Sequence, residues 1–441
     1  MTKKYLPRAI DPLLINWKVE TDRKPLLLRG ARQVGKSSLV RSFSEHFDYY
    51  IEINFEENRS IHRIFEGNLS PDEICESIAV LFNTPVVPGK TLLFLDEIQA
   101  CLPAISALRF FYEKAPGLHV VAAGSLLEFA LGELPSYGVG RVRSLFVYPF
   151  SFNEFLTALG EHRLLELKQK ADAAHPLPAP VHEKLLLLLK KFLILGGMPE
   201  VVSKYVQGRS LLDVQSVLDD LLVSVRADFA KYKKRVPALR IQEVFESVAI
   251  QTGNKFIYAR AATDTRHVQI KEALNLLTMA GLVIPVTHSA ANGIPLGAQS
   301  DSGKRKMLLY DTGILQRALG LPLSDLLLNS DFESINKGAI AELFAGLEML
   351  KYSNPFVPPD LFYWHKETPG SNAEVDYVIQ RLTDIIPLEV KSSRQGSMQS
   401  LYVFLREKNC GKGFRLSLEN FSSFNEIDVF PLYAVSNFIN T

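Results

Sequence analysis

The chain reads Gly30-Ala31-Arg32-Gln33-Val34-Gly35-Lys36-Ser37-Ser38 one residue, Arg29, after a short apolar run, Leu26-Leu27-Leu28. Glycines bracketing four residues and followed by Lys-Ser suit a phosphate-cradling loop. They let the backbone turn so that successive N–H groups, and the start of the next helix, face an anion. In that pattern Lys36 reaches the β- and γ-phosphates and the Ser37 hydroxyl binds Mg²⁺. Further on, the apolar run Thr91-Leu92-Leu93-Phe94-Leu95 ends in Asp96-Glu97. Asp96 would hold Mg²⁺, directly or through water, and Glu97 would orient the attacking water. A capping role is the alternative for Asp96. After a third apolar run, Leu118–Ala123, Ser125 would either sense the γ-phosphate or cap the helix that follows. A second set of residues capable of chemistry lies near the C-terminus. Asp376 and Glu389 could bind Mg²⁺ while Lys391 positions or activates water, with Glu342 as a further acid. The alternative is that Glu389 and Lys391 form only an ion pair.

These side chains act together only if particular elements position them. Residues 26–47 read as strand, glycine-bounded loop and amphipathic helix, the context a phosphate loop requires. Continuous apolar runs at 26–28, 91–95 and 118–123 are expected of parallel strands buried on both faces. Ligands bind at the carboxyl ends of such strands, where Gly30, Asp96 and Ser125 fall. In the C-terminal part, 331–350 reads as a helix carrying Glu342, and Phe362–His365, Glu374–Ile379 and Ile385–Lys391 read as strands. Alternation puts Glu374 and Asp376 on one strand face, and Glu389 beside Lys391 on another.

The middle of the chain is helical in pattern. Pro176, Pro178 and Pro180 break residues 153–192 into two helices, and Gly196-Gly197 with Pro199 stops the second. His175 and His182 read as loop or surface residues rather than ligands. Helices over 213–228, 239–252 and 265–280, with a short turn at 258–262, precede two strands, 282–286 and 307–310, joined by a Gly/Ser-rich loop. Helices followed by a hairpin form a winged-helix pattern. Its second helix would offer Arg266, His267 and Lys271, and its wing Lys304, Arg305 and Lys306.

The 441 residues carry 49 Lys+Arg and 48 Asp+Glu, and 47% are hydrophobic. That composition excludes a disordered chain or a uniformly basic coat and predicts two to four domains. The near-neutral total is uneven. Residues 1–225 hold 25 Lys+Arg and 26 Asp+Glu, residues 226–325 hold 14 and 8, and residues 326–441 hold 10 and 14. The basic middle block, which includes residues 231–235 and 304–306, is where an anionic partner, DNA, is expected. Protein contact or simple solvation is the alternative. Three scattered cysteines (Cys75, Cys101, Cys410) argue against a disulfide scaffold or a zinc site. The start Met1–Pro7 has no apolar signal core, and the strongest apolar run, Leu185–Leu189, is too short to cross a bilayer. A cytoplasmic protein without membrane contact is the expectation.

The three N-terminal strands resemble an AAA+ ATPase core. More specifically, Gly30–Leu39 is similar to the "GxRQVGKTTL" form of a prokaryotic group of AAA+ ATPases, and Leu95-Asp96-Glu97-Ile98-Gln99 to its "LDEIQ". Gly140-Arg141 with Tyr148–Phe155 resembles its "GR…PLSFxEF", and Gly196–Glu200 its "GGxPE". The resemblance implies an ATP- and Mg²⁺-dependent ATPase and a C-terminal domain similar to PD-(D/E)xK nucleases, with Glu342, Asp376, Glu389 and Lys391 at its site. It also implies that Arg141 meets phosphate in cis or from a neighbouring subunit of an oligomer. The alternatives for Arg141 are solvation or pairing with Glu133, and Arg143 is its nearest competitor. Arg32 would touch nucleotide or cap a neighbouring element. Two departures stand out: His365 replaces the arginine of "YWRxxxGxEVDF", and residues 368–372 extend the turn. The expected fold is an α/β multidomain one. It has an AAA+ core over 1–155, a helical lid over 156–228, a winged helix over 229–325 and a nuclease-like α/β domain over 326–441. The expected output is action on DNA; the alternative is a nucleotide-dependent switch whose C-terminal domain is a degenerate nuclease fold that binds a protein partner.

Overall fold

A computed structural model describes residues 5–134, 138, 140–232, 236–261, 267–323, 337–358, 360–367, 372–394 and 396–440. Several expectations lie outside the described residues: the basic residues Lys233, Lys234, Arg235 and Arg266, the helix start at 331–336 and most of the extended turn, 368–371. The chain divides into two compact units, one of residues 1–148 with 354–358, the other of 149–353 with 359–441.

The first unit is built on a five-stranded sheet of β1 (Leu26–Arg29), β2 (Tyr49–Asn54), β3 (Thr91–Asp96), β4 (His119–Ala123) and β5 (Arg143–Phe146). The order is β2-β3-β4-β1-β5 and every pairing is parallel. All residues of β3 and β4 are buried, as strands covered on both faces must be. One face packs Leu27, Ile53, Leu93, Leu95 and Val120 against Ile74 and Ile78 of the helix Pro71–Phe82 and Leu108 and Phe111 of the helix Leu102–Lys114. Because all strands run the same way, the carboxyl ends of β1, β3 and β4 share one sheet edge. That arrangement brings together three segments distant in sequence.

The second unit combines helices with an eight-stranded sheet. Its strands are β6 (Val283–Ser289), β7 (Ser300–Leu309), β8 (Leu361–His365), β9 (Glu374–Arg381), β10 (Asp384–Val390), β11 (Gly413–Ser417), β12 (Ser422–Phe424) and β13 (Ile427–Pro431). They lie in the order β12-β13-β11-β10-β9-β8-β6-β7. The helical breaks fall where the prolines place them, between His162–Lys170 and Ala179–Leu195. The helix Phe152–Ala158 opens with a reciprocal capping box between Ser151 and Glu154.

The hairpin expected as the wing of a separate domain is part of the C-terminal sheet. Strand β6 pairs antiparallel with β7 on one side and parallel with β8 on the other, Val286 opposite Leu361. The two are therefore continuous with β8–β10 across the expected boundary at 325/326. The apolar sequence of β6 shows why: Val283, Ile284, Val286 and His288 are buried, which a free-standing wing would leave wet. Among the described residues, no helix is long and apolar enough to cross a membrane.

Candidate functional site

The loop after β1 is shaped for close approach of backbone to backbone. Gly30 has φ 139°, and a Cβ there would lie 2.1 Å from the Val147 carbonyl oxygen. Gly35 (φ 95°) precedes the helix Lys36–Phe43, so the first N–H groups of that helix border the loop. Gln33 is also in the left-handed region, at φ 62°. Arg8 ties this loop down: its Nη1 donates to the Val34 carbonyl at 3.1 Å and its Nη2 to the Tyr148 carbonyl at 2.7 Å. Ala31 and Val34 are buried, whereas Gln33 and Ser38 are exposed.

The Lys36 ammonium is buried and donates to the carbonyls of Gly30 and Ala31, each at 2.8 Å. Burial pushes its pKa down to about 8, against the pull of Glu97 and Asp96. The Ser37 hydroxyl donates to Asp96 Oδ2 at 2.8 Å, and the Glu97 amide donates to Asp96 Oδ1 at 3.0 Å. Burial raises the Asp96 pKa, with the Ser37 bond opposing. Ser37 and Asp96 thus stand in direct hydrogen-bond contact, and the cap of the turn that follows falls on Glu97 rather than Asp96.

Glu97 has a left-handed backbone, φ 50° and ψ 41°. A conformation of this kind costs energy and is held only where its surroundings impose it. Its Oε2 accepts from Gln99 Nε2 at 2.6 Å and from the Ser125 hydroxyl at 3.2 Å. Ser125 in turn accepts from Arg32 Nε at 3.2 Å. The cap at the next helix falls on Leu126, so Ser125 is spent on Glu97 and Arg32. The fold brings Lys36, Ser37, Asp96, Glu97, Ser125 and Arg32 into one connected set. Arg141 joins another: its Nε donates to Glu113 Oε1 at 2.7 Å. Arg143 is engaged by Glu20 at 2.8 Å. Arg8 and Gln99 are participants that sequence reasoning missed. Gln99 lies inside a quoted motif, but nothing in the local pattern marks Arg8.

The second constellation lies in the second unit. Glu342 (on the helix Lys337–Tyr352), Asp376 (β9) and Glu389 (β10) lie near one another, Glu374 of β9 stands with them, and Lys391 is paired to Glu389. The Val390 amide donates to Asp376 Oδ2 at 2.8 Å. An unexpected member stands among them. Lys306 of β7, expected as a wing residue facing DNA, has a fully buried side chain. Its Nζ lies 2.7 Å from Glu342 Oε1, 2.7 Å from Glu374 Oε1 and 3.7 Å from Asp376 Oδ1. Burial by itself would lower the Lys306 pKa, but Glu342, Asp376 and Glu374 outweigh it and raise it. Burial likewise raises Glu342 and Glu389, the latter helped by the Asp376 charge. The Mg²⁺ implied by the nuclease resemblance would have to share Glu342, Glu374 and Asp376 with the Lys306 charge, while Glu389 Oε2 is buried without a hydrogen-bond partner. Among the described residues, no group of three or more His, Cys, Asp or Glu side chains is arranged to hold a metal ion.

The other basic residues of the middle block are also largely matched. Lys304 pairs with Glu367 and Asp301, Lys231 with Asp228, and Lys255 stands 4.0 Å from Glu374. His267 and Lys271 are exposed beside the Tyr258 ring. His365, which stands where the relatives' arginine is expected, has a buried Nδ1 without a hydrogen-bond partner. It lines, with Glu246, Gln251, Lys255, Arg260 and Glu374, a groove of about 820 Å³.

A parallel sheet with a phosphate loop after β1 and an Asp-Glu pair after β3 defines a P-loop ATPase of the AAA type, and residues 22–156 match the AAA domain family. The N-terminal part of the chain is an AAA-type ATPase domain, a nucleotide-binding module that hydrolyses ATP. Residues 186–325 match a domain of unknown function, DUF8612, and residues 337–435 another, DUF4143. No curated protein matches the chain. Among solved structures, a Walker-type ATPase of Pyrococcus abyssi is 15% identical, with 72% of this chain and 97% of that one covered at a TM-score of 0.46. The ORC1 protein of Aeropyrum pernix in complex with DNA is 15% identical, covering 74% and 97% at a TM-score of 0.28. PCH-2 of C. elegans is 17% identical, covering 49% and 60% at a TM-score of 0.26.

Proposed function

We propose that the chain binds ATP on the loop Gly30–Ser38, hydrolyses it with Mg²⁺ held by Ser37 and Asp96, and uses the cycle to set the state of a macromolecule-binding second unit. The observation that carries the nucleotide part is the buried Lys36 ammonium, whose described partners are two carbonyls of its own loop. Carbonyl dipoles hold a cation in place without cancelling its charge, so a triphosphate gains a full opposite charge there. Glu97 orients the attacking water, and Ser125 and Gln99 hold its carboxylate in place until the γ-phosphate arrives. Arg32 lies close enough to Ser125 to report on the same phosphate. Bound Mg²⁺ would offset the charge on the β- and γ-phosphate oxygens. Arg141 would serve a neighbouring subunit of an oligomer, exchanging Glu113 for phosphate.

For the partner of the second unit, DNA is the first reading. His267 and Lys271, exposed on the helix His267–Met279, support it through phosphate contact. The second reading is a protein partner bound by a degenerate nuclease fold. It is favoured by the internal pairing of Lys304 and Lys306, which removes two of the cations a wing would present. The three free cysteines are in keeping with a cytoplasmic setting.

One experiment addresses both parts. Phosphate release from ATP with Mg²⁺ is measured for the wild type and Lys36→Ala, and binding to labelled linear and branched DNA is followed from about 50 to about 200 mM salt, with and without ATP. Loss of turnover in Lys36→Ala is expected, and turnover unchanged by that substitution sinks the nucleotide assignment. DNA binding that weakens at least tenfold over the salt range supports the first reading; no binding at low salt leaves the protein partner.

A further inference from the structure

The carboxylates of the C-terminal sheet come from three elements, and the cation among them comes from a fourth. Glu342 projects from a helix, Glu374 and Asp376 from β9, and Glu389 from β10, while Lys306 reaches them from β7. We propose that the Lys306 ammonium is the resident cation of this cluster and that its charge keeps a divalent metal from Asp376 and Glu389, so that the sheet keeps a nuclease-like carboxylate set without metal-dependent cleavage.

Geometry carries the assignment. An ammonium has three N–H donors and no acceptor. One donor is matched by Glu342 Oε1 at 2.7 Å, and the ammonium is ion-paired with Glu374 Oε1 at 2.7 Å and Asp376 Oδ1 at 3.7 Å. The face of the Tyr363 ring lies 5.4 Å from Nζ, which suits a cation as well. A Mg²⁺ ion needs oxygen lone pairs at about 2.0–2.1 Å in a near-octahedral set, and although Glu389 Oε2 is buried without a hydrogen-bond partner, the ion would compete with Nζ for Glu342 Oε1. It would also stand within a few ångströms of a like charge in a low-dielectric interior.

Lys306 has no route to step aside. Its side chain is fully buried, and its backbone is held by antiparallel pairing with Val286 and by a bridge to Lys255. Nor is Lys391 free to take over, since its ammonium is paired to Glu389. Strand alternation turns the neighbouring Arg305 to the other face, and pairing with the buried Val286 fixes Lys306 at the covered end of β7, whereas Lys304 on the same face lies in its exposed part.

The test uses the full chain without nucleotide and Mn²⁺ as the probe, followed by electron paramagnetic resonance and calorimetry. Wild type and Asp376→Asn are expected to bind Mn²⁺ identically, with no site that depends on Asp376. Lys306→Gln, which keeps length and polarity but removes the charge, is expected to gain one Mn²⁺ site, and Lys306→Gln/Asp376→Asn to lose it. A Mn²⁺ site in the wild type that Asp376→Asn removes overturns the proposal. So does a folded Lys306→Gln chain that gains no site. If Lys306→Gln does not fold, the wild-type and Asp376→Asn comparison alone decides, and ATP hydrolysis by the first unit reports that the chains tested are intact.

Discussion

Both units bury a lysine, and the two lysines are treated in opposite ways. Lys36 is surrounded by the carbonyls of its own loop, and its pKa is pushed down to about 8. Lys306 is surrounded by carboxylates, and its pKa is raised. The difference teaches how to tell a cation meant for a ligand from one meant for the fold. A buried ammonium on carbonyl dipoles keeps an unmet charge that an anion can satisfy. One among carboxylates is already neutralised, and removing it leaves uncompensated charge behind. Sequence motifs mark both sites as chemically capable, but only the first keeps its charge available.

Predictions that break or sharpen this contrast run from large to small. Glu97→Gln should lower ATP turnover by about 10²–10⁴-fold while leaving ATP binding within a few fold, because it removes the water-orienting base and not the phosphate cradle. A rapid-quench assay with parallel nucleotide-binding titrations checks it. Next, Lys306→Ala should destabilise the second unit by about 3–5 kcal/mol, whereas Lys36→Met should leave the first unit unchanged or somewhat more stable. Urea unfolding of the full chains tests the pair, and equal losses at both positions would erase the distinction. Third, at about pH 9 ATP binding should take up close to one proton, because Lys36 is then largely neutral in the free site and a triphosphate restores its charge. At about pH 7 it should take up none at this group, which lies below its pKa of about 8. Calorimetry in buffers of different ionisation enthalpy reads the difference.

The smallest effect concerns the raised Glu389. A carboxyl whose folded pKa lies above its unfolded value binds its proton more tightly when folded. Its stabilising contribution is therefore present at low pH and declines as pH rises from the unfolded value through the folded one. Glu389→Gln should flatten that decline, so its stability relative to wild type should be higher at about pH 8 than at about pH 5.5. Buried His182 and His288 and half-buried His365, whose pKa values are lowered, act in the opposite direction in both proteins and cancel in the comparison.

What the sequence determined by itself is local. The glycine-bounded loop, the apolar runs of β1, β3 and β4 and the acids at the end of β3 were legible because backbone dihedral needs, burial and parallel pairing leave marks at short range. Strand alternation likewise placed Glu374 and Asp376 on one face, and the prolines marked the helix break before Ala179. The tertiary structure decided the rest. Arg8 donates to the carbonyls of both Val34 and Tyr148, residues far apart in the sequence, and no spacing encodes that. The excess of basic residues at 226–325 and of acidic residues at 326–441 looked like a surface for an outside anion. Yet β6 pairs with β8, and that pairing carries Lys306 and Lys304 into contact with Glu342, Glu374 and Glu367. A charge is a property of a residue, but whether it is spent inside the fold or offered to a partner depends on which strand lies beside it. Local sequence does not contain that pairing, because hydrogen bonds between distant strands are chosen only when the whole sheet assembles.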